Sequence, residues 1–327
     1  MGESSPRITV LMAAYNAAET IGRAIDSCVQ QTFDDWELVV VDDASEDGTG
    51  SVVRGIDDPR VHLITFEHNQ GEGAARNAAI DAALGAWFTI LDADDAFLPT
   101  RLERLHDLAE KLGSTDNVLV DRVLRVLPTA AGFVPLRHLP ERIPIGHHVL
   151  EPAAAVRQGV GGQPYFSREL LDRTGARYPT DSHSGVDTAF VLRLLGGDGA
   201  RFVRVHDPLY LYATYEGSQS RILDRYDHVM AALEPLVTDE TLPLQLRAEI
   251  GQYVADLQRE RPFEELRAAV RARRPLRAAG VAIRHPSVLR SVPSRYRTHR
   301  RYQAVISDAQ RFADDVAATY HTGEGGA

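Results

Sequence analysis

The feature that most constrains the fold of this chain is the alternation of short apolar runs with helical segments over its first 112 residues. Apolar runs that favour β-strands occupy residues 7–14, 36–41, 60–66 and 86–91. Helical spacing of small or apolar side chains follows at residues 18–31, 73–84 and 99–112, and a polar turn at 42–49 opens a further helix. Parallel strands need such crossover helices, so the pattern predicts an α/β fold with a Rossmann-like, mostly parallel sheet flanked by helices.

The rest of the chain is less regular. We predict strands at residues 117–127, 200–205 and 208–214, a strand followed by a helix at 165–173, and a helix at 186–195. Residues 128–164 hold six prolines and many glycines, which indicates a loop-rich segment. From about residue 224 the pattern is helical. These changes predict three segments, with bounds at residues 1–112, 113–223 and 224–327.

The charge of the chain is unevenly distributed. The formal net charge is −10, yet residues 267–301 hold eleven arginines and no aspartate or glutamate, which leaves −21 for the rest of the chain. An acidic body of this kind argues against a general nucleic-acid-binding protein. The arginine-rich stretch has three interpretations: contact with an anionic membrane, docking against the acidic body, or a solvated helical face.

Two further features narrow the class of protein. No apolar run approaches the roughly 20 residues that span a bilayer, and no apolar signal core follows the first residues, so we expect a cytoplasmic protein. The single cysteine, Cys28, excludes a disulfide within the chain. It falls among the apolar positions of the first predicted helix, which is typical of a small core side chain.

Three aspartates, Asp92, Asp94 and Asp95, follow the fourth predicted strand. Ligands of α/β sheets bind beyond the carboxyl ends of the strands, so we expect this cluster to face a crevice there. Three carboxylates within four residues repel one another unless a cation neutralises them, and Mg²⁺ or Mn²⁺ takes one or two carboxylates with phosphate oxygens. A helix cap or an Asx turn would need only one of the three.

Three other positions carry alternative interpretations. Asp42 and Asp43 either cap the helix that follows, or one of them accepts the imide N–H of a pyrimidine base. Arg76 lies in an alanine-rich helix whose small side chains let backbone approach a ligand, although a solvated helix charge is the commoner case. Asp187 could be a general base for an acceptor hydroxyl, or it could simply stabilise a helix N-terminus.

Together these segments resemble the family-2 glycosyltransferases of GT-A fold. The resemblance is strong over residues 7–112 and moderate over 160–220. Its motifs, in chain order, are Tyr15-Asn16-Ala17, Gln31-Thr32-Phe33 with Glu37, Val41-Asp42-Asp43-Ala44-Ser45 with Asp47-Gly48-Thr49, Asn69-Gln70-Gly71, Ala74-Ala75-Arg76-Asn77, Leu91-Asp92-Ala93-Asp94-Asp95, Phe166-Ser167-Arg168-Glu169-Leu170 and Asp187-Thr188-Ala189-Phe190.

The resemblance implies an inverting transfer of a sugar from a nucleoside-diphosphate donor, with uridine or thymidine as the base. Its acceptor would be a hydroxyl of a glycan, lipid, peptide or small molecule. Residues 1–112 would form the donor-binding half, 113–223 the acceptor-binding half and 224–327 a helical, arginine-rich extension. Asp187 would be the general base, and Asp94 the main ligand of Mn²⁺ or Mg²⁺, with Asp92 and Asp95 beside it. The residues implied to surround the donor nucleotide are Ala13, Tyr15, Asp42, Asp43, Arg76, Asp92 and Ala93.

The sequence departs from the family pattern in its second half. The acidic residue that often precedes the base is Val186, and the segment near Gly217-Ser218 lacks the family's histidine, for which His183 is a candidate substitute. The missing histidine favours an alternative, a catalytically idle nucleotide-sugar-binding module or assembly subunit. A phosphohydrolase with an Asp-x-Asp nucleophile is a third interpretation, but no convincing lysine follows the aspartates.

Overall fold

The structure is a computed structural model that describes residues 5–129, 132–135, 146–182, 185–214, 222–271 and 273–285. Its first third has the elements β1 (Ile8–Ala14), α1 (Ile21–Val29), β2 (Trp36–Asp42), α2 (Thr49–Arg54), β3 (Val61–Thr65), α3 (Glu72–Ala82), β4 (Trp87–Ile90), β5 (Ala96–Phe97) and α4 (Arg101–Leu112). The elements that follow are β6 (Asn117–Thr129), β7 (Gly132–Pro135), β8 (His147–Leu150), α5 (Pro152–Gln158), β9 (Pro164–Ser167), α6 (Arg168–Thr174), α7 (Val186–Leu194), β10 (Arg201–Ala213), α8 (Ile222–Thr238), α9 (Leu244–Arg271) and α10 (Pro275–Arg284).

The described strands form one mixed sheet of ten strands. Its order is β3-β2-β1-β4-β9-β6-β10-β5, with β7 on β6 and β8 on β10. The first four strands run parallel. Beyond them β9 is antiparallel to β4 and to β6, and β10 is antiparallel to β5 and to β8. The predicted α/β class with a parallel, Rossmann-like sheet is confirmed, and antiparallel strands extend that sheet past β4.

The parallel half forms because its central strands, β2, β1 and β4, are largely apolar on both faces. All seven residues of β2 are buried, and β1 is buried at every position except Ala13. Such continuous burial is expected where helices cover both faces of a parallel sheet. α1 contributes one apolar face that includes Cys28. Burial raises the pKa of the Cys28 thiol to about 12, so this residue is an inert core side chain, as predicted.

The structure differs from the prediction at β10, which is one strand of 13 residues where the sequence indicated two. Asp207-Pro208 is typical of a turn, and the prediction broke the strand there. In the structure β10 pairs with β8 through residues 202–205 and with β5 at residues 210–211. Pro208 lies between these two ladders, neither of which requires its missing N–H.

A second difference concerns the segment predicted to be loop-rich. Its described residues include β7, β8 and α5. Pro152 occupies the first turn of α5, where an N–H has no partner within the helix and proline is tolerated. The two strands have only four residues each, too short for a period to be recognised in the sequence. Residues 130–131 and 136–145 lie outside the described part of the chain.

The chain divides into two compact units. One comprises residues 1–124, 143–212 and 228–253, and the other comprises residues 125–142, 213–227 and 254–327. The second unit has a small hydrophobic cluster of its own, formed by Phe263, Leu266 and Val281. Helices α8 to α10 confirm a helical C-terminal extension, whereas the division into three functional segments stays a prediction. No helix of the described residues is both long and apolar enough to cross a membrane.

Candidate active site

The carboxyl ends of the parallel strands define one edge of the sheet. Ala14, at the end of β1, is paired with Asp42 at the end of β2. On the other side of β1, Leu11 is paired with Ile90 at the end of β4. The polar segments that follow β1, β2 and β4 therefore leave the sheet at a common edge, as the sequence predicted.

The segment after β1 offers an exposed aromatic ring at this edge. Ala13 is partly exposed and Tyr15 is 53% exposed. The next residue, Asn16, has a positive φ of 48°. Its backbone N–H donates to Ser45 Oγ at 2.9 Å, and its side-chain oxygen accepts from the Glu46 N–H at 3.0 Å. These bonds connect the turn after β1 to the turn after β2 and fix the position at which the Tyr15 ring is exposed to solvent.

Asp42 and Asp43 are engaged in the turns themselves. Each is 3% exposed. Asp42 accepts a hydrogen bond from the Ser45 N–H at 3.0 Å. Asp43 accepts from the N–H groups of Gln70 at 2.7 Å and Gly71 at 2.8 Å, which are the residues that precede α3. The structural interpretation of these carboxylates therefore accounts for their burial, and their contact with a nucleotide base stays a prediction.

Arg76 of α3 is an interior bridge between three carboxylates. Its side chain is 1% exposed, so it is not a solvated helix charge. One terminal nitrogen donates to Asp187 Oδ1, and the other lies 2.5 Å from Asp92 Oδ1 and 2.7 Å from Glu72 Oε1. Burial opposes the charge of Arg76, but the three carboxylates more than offset it and hold its pKa well above the usual value. The base contact that the resemblance implies for Arg76 stays a prediction.

Asp187 lies in the first turn of α7. The residue before this helix is Gly185, which has a positive φ of 78°. Burial raises the pKa of Asp187 to about 7 against the opposing charge of Arg76, and the negative charges of Asp92 and Glu72 act in the same direction as burial. About a third of the side chain, 35%, still reaches solvent. Asp187 can therefore exchange a proton near neutral pH with a group that approaches from outside.

The segment before α7 is anchored to α3. The Asn77 side chain donates to the Tyr178 carbonyl at 3.0 Å and accepts from the Tyr178 N–H at 2.9 Å. The Tyr178 ring stacks on Phe190 of α7 at 4.1 Å between centroids. A Cβ on Gly73 would lie 2.0 Å from the Pro179 carbonyl oxygen. At Gly73, therefore, the missing side chain admits the chain's own backbone, which differs from the predicted approach of a ligand.

Asp92 is held by residues that sequence reasoning did not identify. Its Oδ2 accepts from the Gln163 side chain at 2.7 Å, and its N–H donates to the Tyr210 hydroxyl at 3.1 Å. The Gln163 carbonyl in turn accepts from Arg101 at 3.2 Å. Arg101 pairs with Asp121 at 2.8 Å, with both side chains buried. No local pattern marks Gln163, which lies among glycines and a proline in the sequence.

The three aspartates of the metal-binding prediction differ in how accessible their carboxylates are, and their roles as metal ligands stay a prediction. Asp94 is exposed, yet partial desolvation and the neighbouring charge of Asp92 raise its pKa to about 6. Both oxygens of Asp92 already accept hydrogen bonds. Asp95 is 1% exposed and interacts with the Tyr210 hydroxyl, so its carboxylate is the least accessible of the three. Ala93, between Asp92 and Asp94, is 7% exposed. One accessible carboxylate together with donor phosphates is a ligand set that Mg²⁺ or Mn²⁺ accepts.

The described residues contain no preformed metal site, since no group of three or more His, Cys, Asp or Glu among them could hold a metal ion. The segment predicted to replace the family's histidine is not described. His183, Gly217 and Ser218 lie outside the described residues. The replacement of the family's histidine by His183 therefore stays a prediction.

Known proteins are similar to this chain in sequence and in fold. The profile of the family described as Glycosyl transferase family 2 matches residues 9–151. Succinoglycan biosynthesis protein ExoO of Rhizobium meliloti (strain 1021) is 38% identical over 239 residues, which cover 70% of this chain and 66% of ExoO. The matched region covers a smaller share of the length of two other relatives, 59% of one and 38% of the other.

Two solved structures resemble the fold along nearly the whole chain. Residues 1–349 of S. aureus TarS, in complex with UDP-GlcNAc, superpose with a TM-score of 0.62 at 19% identity, covering 97% of this chain and 92% of that one. The mannosyltransferase PcManGT from Pyrobaculum calidifontis, in complex with GDP-Man and Mn²⁺, gives a TM-score of 0.59 at 24% identity, covering 94% and 87%. At such identities the likeness concerns the fold alone.

Proposed function

The chain belongs to glycosyl transferase family 2 and has the GT-A fold, and from that premise we propose that it transfers a sugar from a nucleoside-diphosphate donor to a hydroxyl acceptor, with inversion at the anomeric carbon. One observation carries the proposal. Asp187, with a pKa near neutrality, shares the buried Arg76 with Asp92 at the ligand-binding edge of the sheet. Arg76 thereby connects a carboxylate that can deprotonate an acceptor hydroxyl to Asp92, one of the aspartates expected at the donor.

In the proposed reaction Asp187 accepts the proton of the acceptor hydroxyl. Arg76 occupies Oδ1 of Asp187, so Oδ2 is the oxygen that takes the proton. The acceptor oxygen bonds to the anomeric carbon from the side opposite the diphosphate. The bond between that carbon and the phosphate oxygen breaks, and its electron pair leaves with the nucleoside diphosphate. A single displacement of this kind inverts the configuration of the sugar.

Arg76 orients the base, whereas burial and the neighbouring carboxylates raise the proton affinity of Asp187 against the opposing charge of Arg76. One positive charge faces three carboxylates, those of Asp187, Asp92 and Glu72. The cluster therefore carries an excess of two negative charges when all its members are ionised, and a proton on Asp187 halves that excess. Close like charges disfavour the ionised form of each other, which agrees with the raised pKa of Asp187.

We assign the metal to Asp94, which would hold Mn²⁺ or Mg²⁺ together with phosphate oxygens of the donor. When bound, the cation supplies positive charge that offsets the charge of the departing diphosphate. Desolvation and the charge of Asp92 raise the pKa of Asp94 to about 6, and a cation beside these carboxylates would relieve their repulsion. The Mn²⁺ in the PcManGT complex supports this assignment by analogy of fold.

The donor and the acceptor are proposed by class. We expect UDP as the nucleotide, lying near Ala13, Tyr15 and the turn of Asp42 and Asp43. The UDP-GlcNAc in the TarS complex supports this choice, whereas the GDP-Man of PcManGT keeps guanosine as an alternative to test. The name of ExoO concerns succinoglycan biosynthesis, so we propose a sugar hydroxyl of a growing polysaccharide as the acceptor. The cytoplasmic location stays a prediction.

The proposal is tested by thermal-shift titration of UDP, GDP and TDP, each with and without Mn²⁺, on the wild type and on Asp94→Ala. A ligand that binds the folded state raises the melting temperature. We expect a Mn²⁺-dependent rise with UDP or TDP that Asp94→Ala abolishes. Asp34→Ala is the matched control, because the Asp34 side chain is 93% exposed and lies outside the proposed site.

Donor turnover separates an enzyme from an idle binding module. Release of UDP from UDP-sugars, measured with polysaccharide fragments as acceptors, should depend on Mn²⁺ and on Asp94. A nucleotide-dependent shift without any turnover across a broad panel of sugars and acceptors would favour the idle module. The absence of any shift at millimolar nucleotide would refute the donor site itself.

A further inference from the structure

The last described helix, α10, has apolar side chains on two opposite sides. On the inner side Val281 is 0% exposed and belongs to a cluster with Phe263 and Leu266 of α9. On the outer side Leu276 and Ile283 are 90% and 78% exposed. Leu276 and Ile283 are seven residues apart and so share one face of the helix, away from Val281. The inner side is explained by packing, whereas no described residue of the chain covers the outer side.

Two arginines lie along one edge of this outer side. Arg277 and Arg284 are also seven residues apart, and their side chains are 52% and 63% exposed. Both lie near the same carboxylate, that of Glu265, at 3.7 and 3.5 Å. One carboxylate cannot neutralise two guanidinium groups. Residues 271–285 contain five arginines and no aspartate or glutamate, so the local excess of positive charge is larger still.

We propose that α10 binds the surface of an anionic lipid bilayer, with Leu276 and Ile283 inserted at the interface and Arg277 and Arg284 against lipid phosphates. Basic helices with an apolar face lie in the bilayer interface in this way, and each arginine near an anionic surface adds to the attraction. This inference concerns the second compact unit only, and it does not depend on the proposed catalytic activity.

Charge and apolarity together select the bilayer over other occupants. An acidic protein surface, such as that of a second copy of this chain with its net charge of −10, would satisfy the arginines. It would not by itself remove two large aliphatic side chains from water, and neither would the phosphates of a nucleic acid. An anionic bilayer supplies phosphates and an apolar layer at adjacent depths, which matches the spacing of the two residue pairs around the helix.

The test uses the full-length protein and sedimented vesicles. One set contains phosphatidylcholine alone, and the other contains equimolar phosphatidylcholine and phosphatidylglycerol. We expect salt-sensitive binding to the anionic vesicles only. The double variants Leu276→Ser/Ile283→Ser and Arg277→Gln/Arg284→Gln should each lower the partition coefficient by about tenfold or more, because each removes one of the two contributions. Leu244→Ser is the matched control, since Leu244 of α9 is 74% exposed and lies in the other compact unit.

Each outcome decides the matter. Unchanged vesicle binding in both double variants, or an equal loss in Leu244→Ser, would overturn the assignment to α10. Absence of wild-type binding would overturn the membrane proposal, and a salt-sensitive self-association lost in the same variants would then identify a second copy as the occupant. The nucleotide-dependent thermal shift should be the same in all these variants, so a failure here is distinguishable from a failure of the proposed function.

Discussion

Two buried arginines, Arg101 and Arg76, show how differently the same side chain is used within this sheet. Their side chains are 0% and 1% exposed. Arg101 meets one carboxylate, Asp121, through two of its nitrogens, and Asp121 is itself buried, with a side chain that is 1% exposed. Arg76 meets three carboxylates, and each of the three is partly open to solvent, with exposed side-chain fractions of 25 to 42%.

The difference separates a structural ion pair from a reactive one. The charges of Arg101 and Asp121 balance, and a buried pair of this kind stabilises the fold chiefly by having no member left alone. The group around Arg76 has surplus negative charge, which a proton, a cation or a donor can relieve. That surplus lies where a ligand can reach it, and it accompanies the raised pKa of Asp187. Perturbed carboxylates in such a place are candidates for chemistry.

The largest expected effect comes from removing the base. Asp187→Asn keeps the shape of the side chain but cannot accept the proton, so we expect kcat to fall by about 10²- to 10⁴-fold. Nucleotide-dependent thermal shifts should remain, because the proposed donor contacts lie on other residues. The measurement is UDP release at saturating donor and acceptor. A variant with near wild-type kcat would exclude Asp187 as the base. The ion pairs of Arg76 would then have no more claim to a catalytic role than that of Arg101.

The second effect is on stability and concerns the other arginine. Asp121→Ala leaves Arg101 buried without its carboxylate, and we expect a loss of about 3 to 5 kcal/mol in the free energy of unfolding. Urea titration followed by circular dichroism measures it. Arg7→Ala is the control, since Arg7 and Asp35 are about half exposed and such pairs contribute about 0–1 kcal/mol.

The same pair can be replaced as a unit to sharpen the comparison. Arg101→Met/Asp121→Leu removes both charges and keeps apolar volume, so it should recover much of the stability lost in Asp121→Ala. Recovery would show that the pair acts by mutual compensation. If the double variant is as unstable as Asp121→Ala, the bonds of Arg101 to Thr89 and to the Gln163 carbonyl contribute more than the pair itself.

The comparison also shows what the sequence could and could not reveal. The strand ends and their aspartates follow from periodicity and from the rule that ligands bind at carboxyl ends, and so the edge with Asp42, Asp92 and Asp94 was predictable. The contact of Arg76 with Asp187 joins residues 111 positions apart, and no local pattern encodes such a pairing. Helix position alone likewise gives no sign that Arg101 is buried, because arginines are mostly exposed.

A smaller effect is expected at Gln163, which we regard as a positioning residue. Gln163→Leu removes the hydrogen bond to Asp92 Oδ2, and bonds to charged groups are worth about 1.5 to 3 kcal/mol. We expect kcat/KM for the donor to fall by about tenfold, with an altered Mn²⁺ dependence because one oxygen of Asp92 is released. Steady-state kinetics over a Mn²⁺ series measures both. Gln158→Leu, at an exposed glutamine of α5, should change neither.

The smallest effect is a shift in the pH dependence of activity, which reports on the charge around Arg76. Because the base must be ionised to accept a proton and the pKa of Asp187 lies at about 7, activity should be lost as pH falls through 7, to roughly a tenth of its plateau at pH 6. The negative charge of Glu72 helps to raise that pKa. In Glu72→Gln the midpoint of the kcat/KM profile should therefore move to lower pH. Arg7→Ala is again the control, because Arg7 is half exposed, and this variant should leave the midpoint unchanged. A midpoint that stays fixed in Glu72→Gln would mean that Asp187 does not respond to the charge of Glu72, and burial would then be the main cause of its raised pKa.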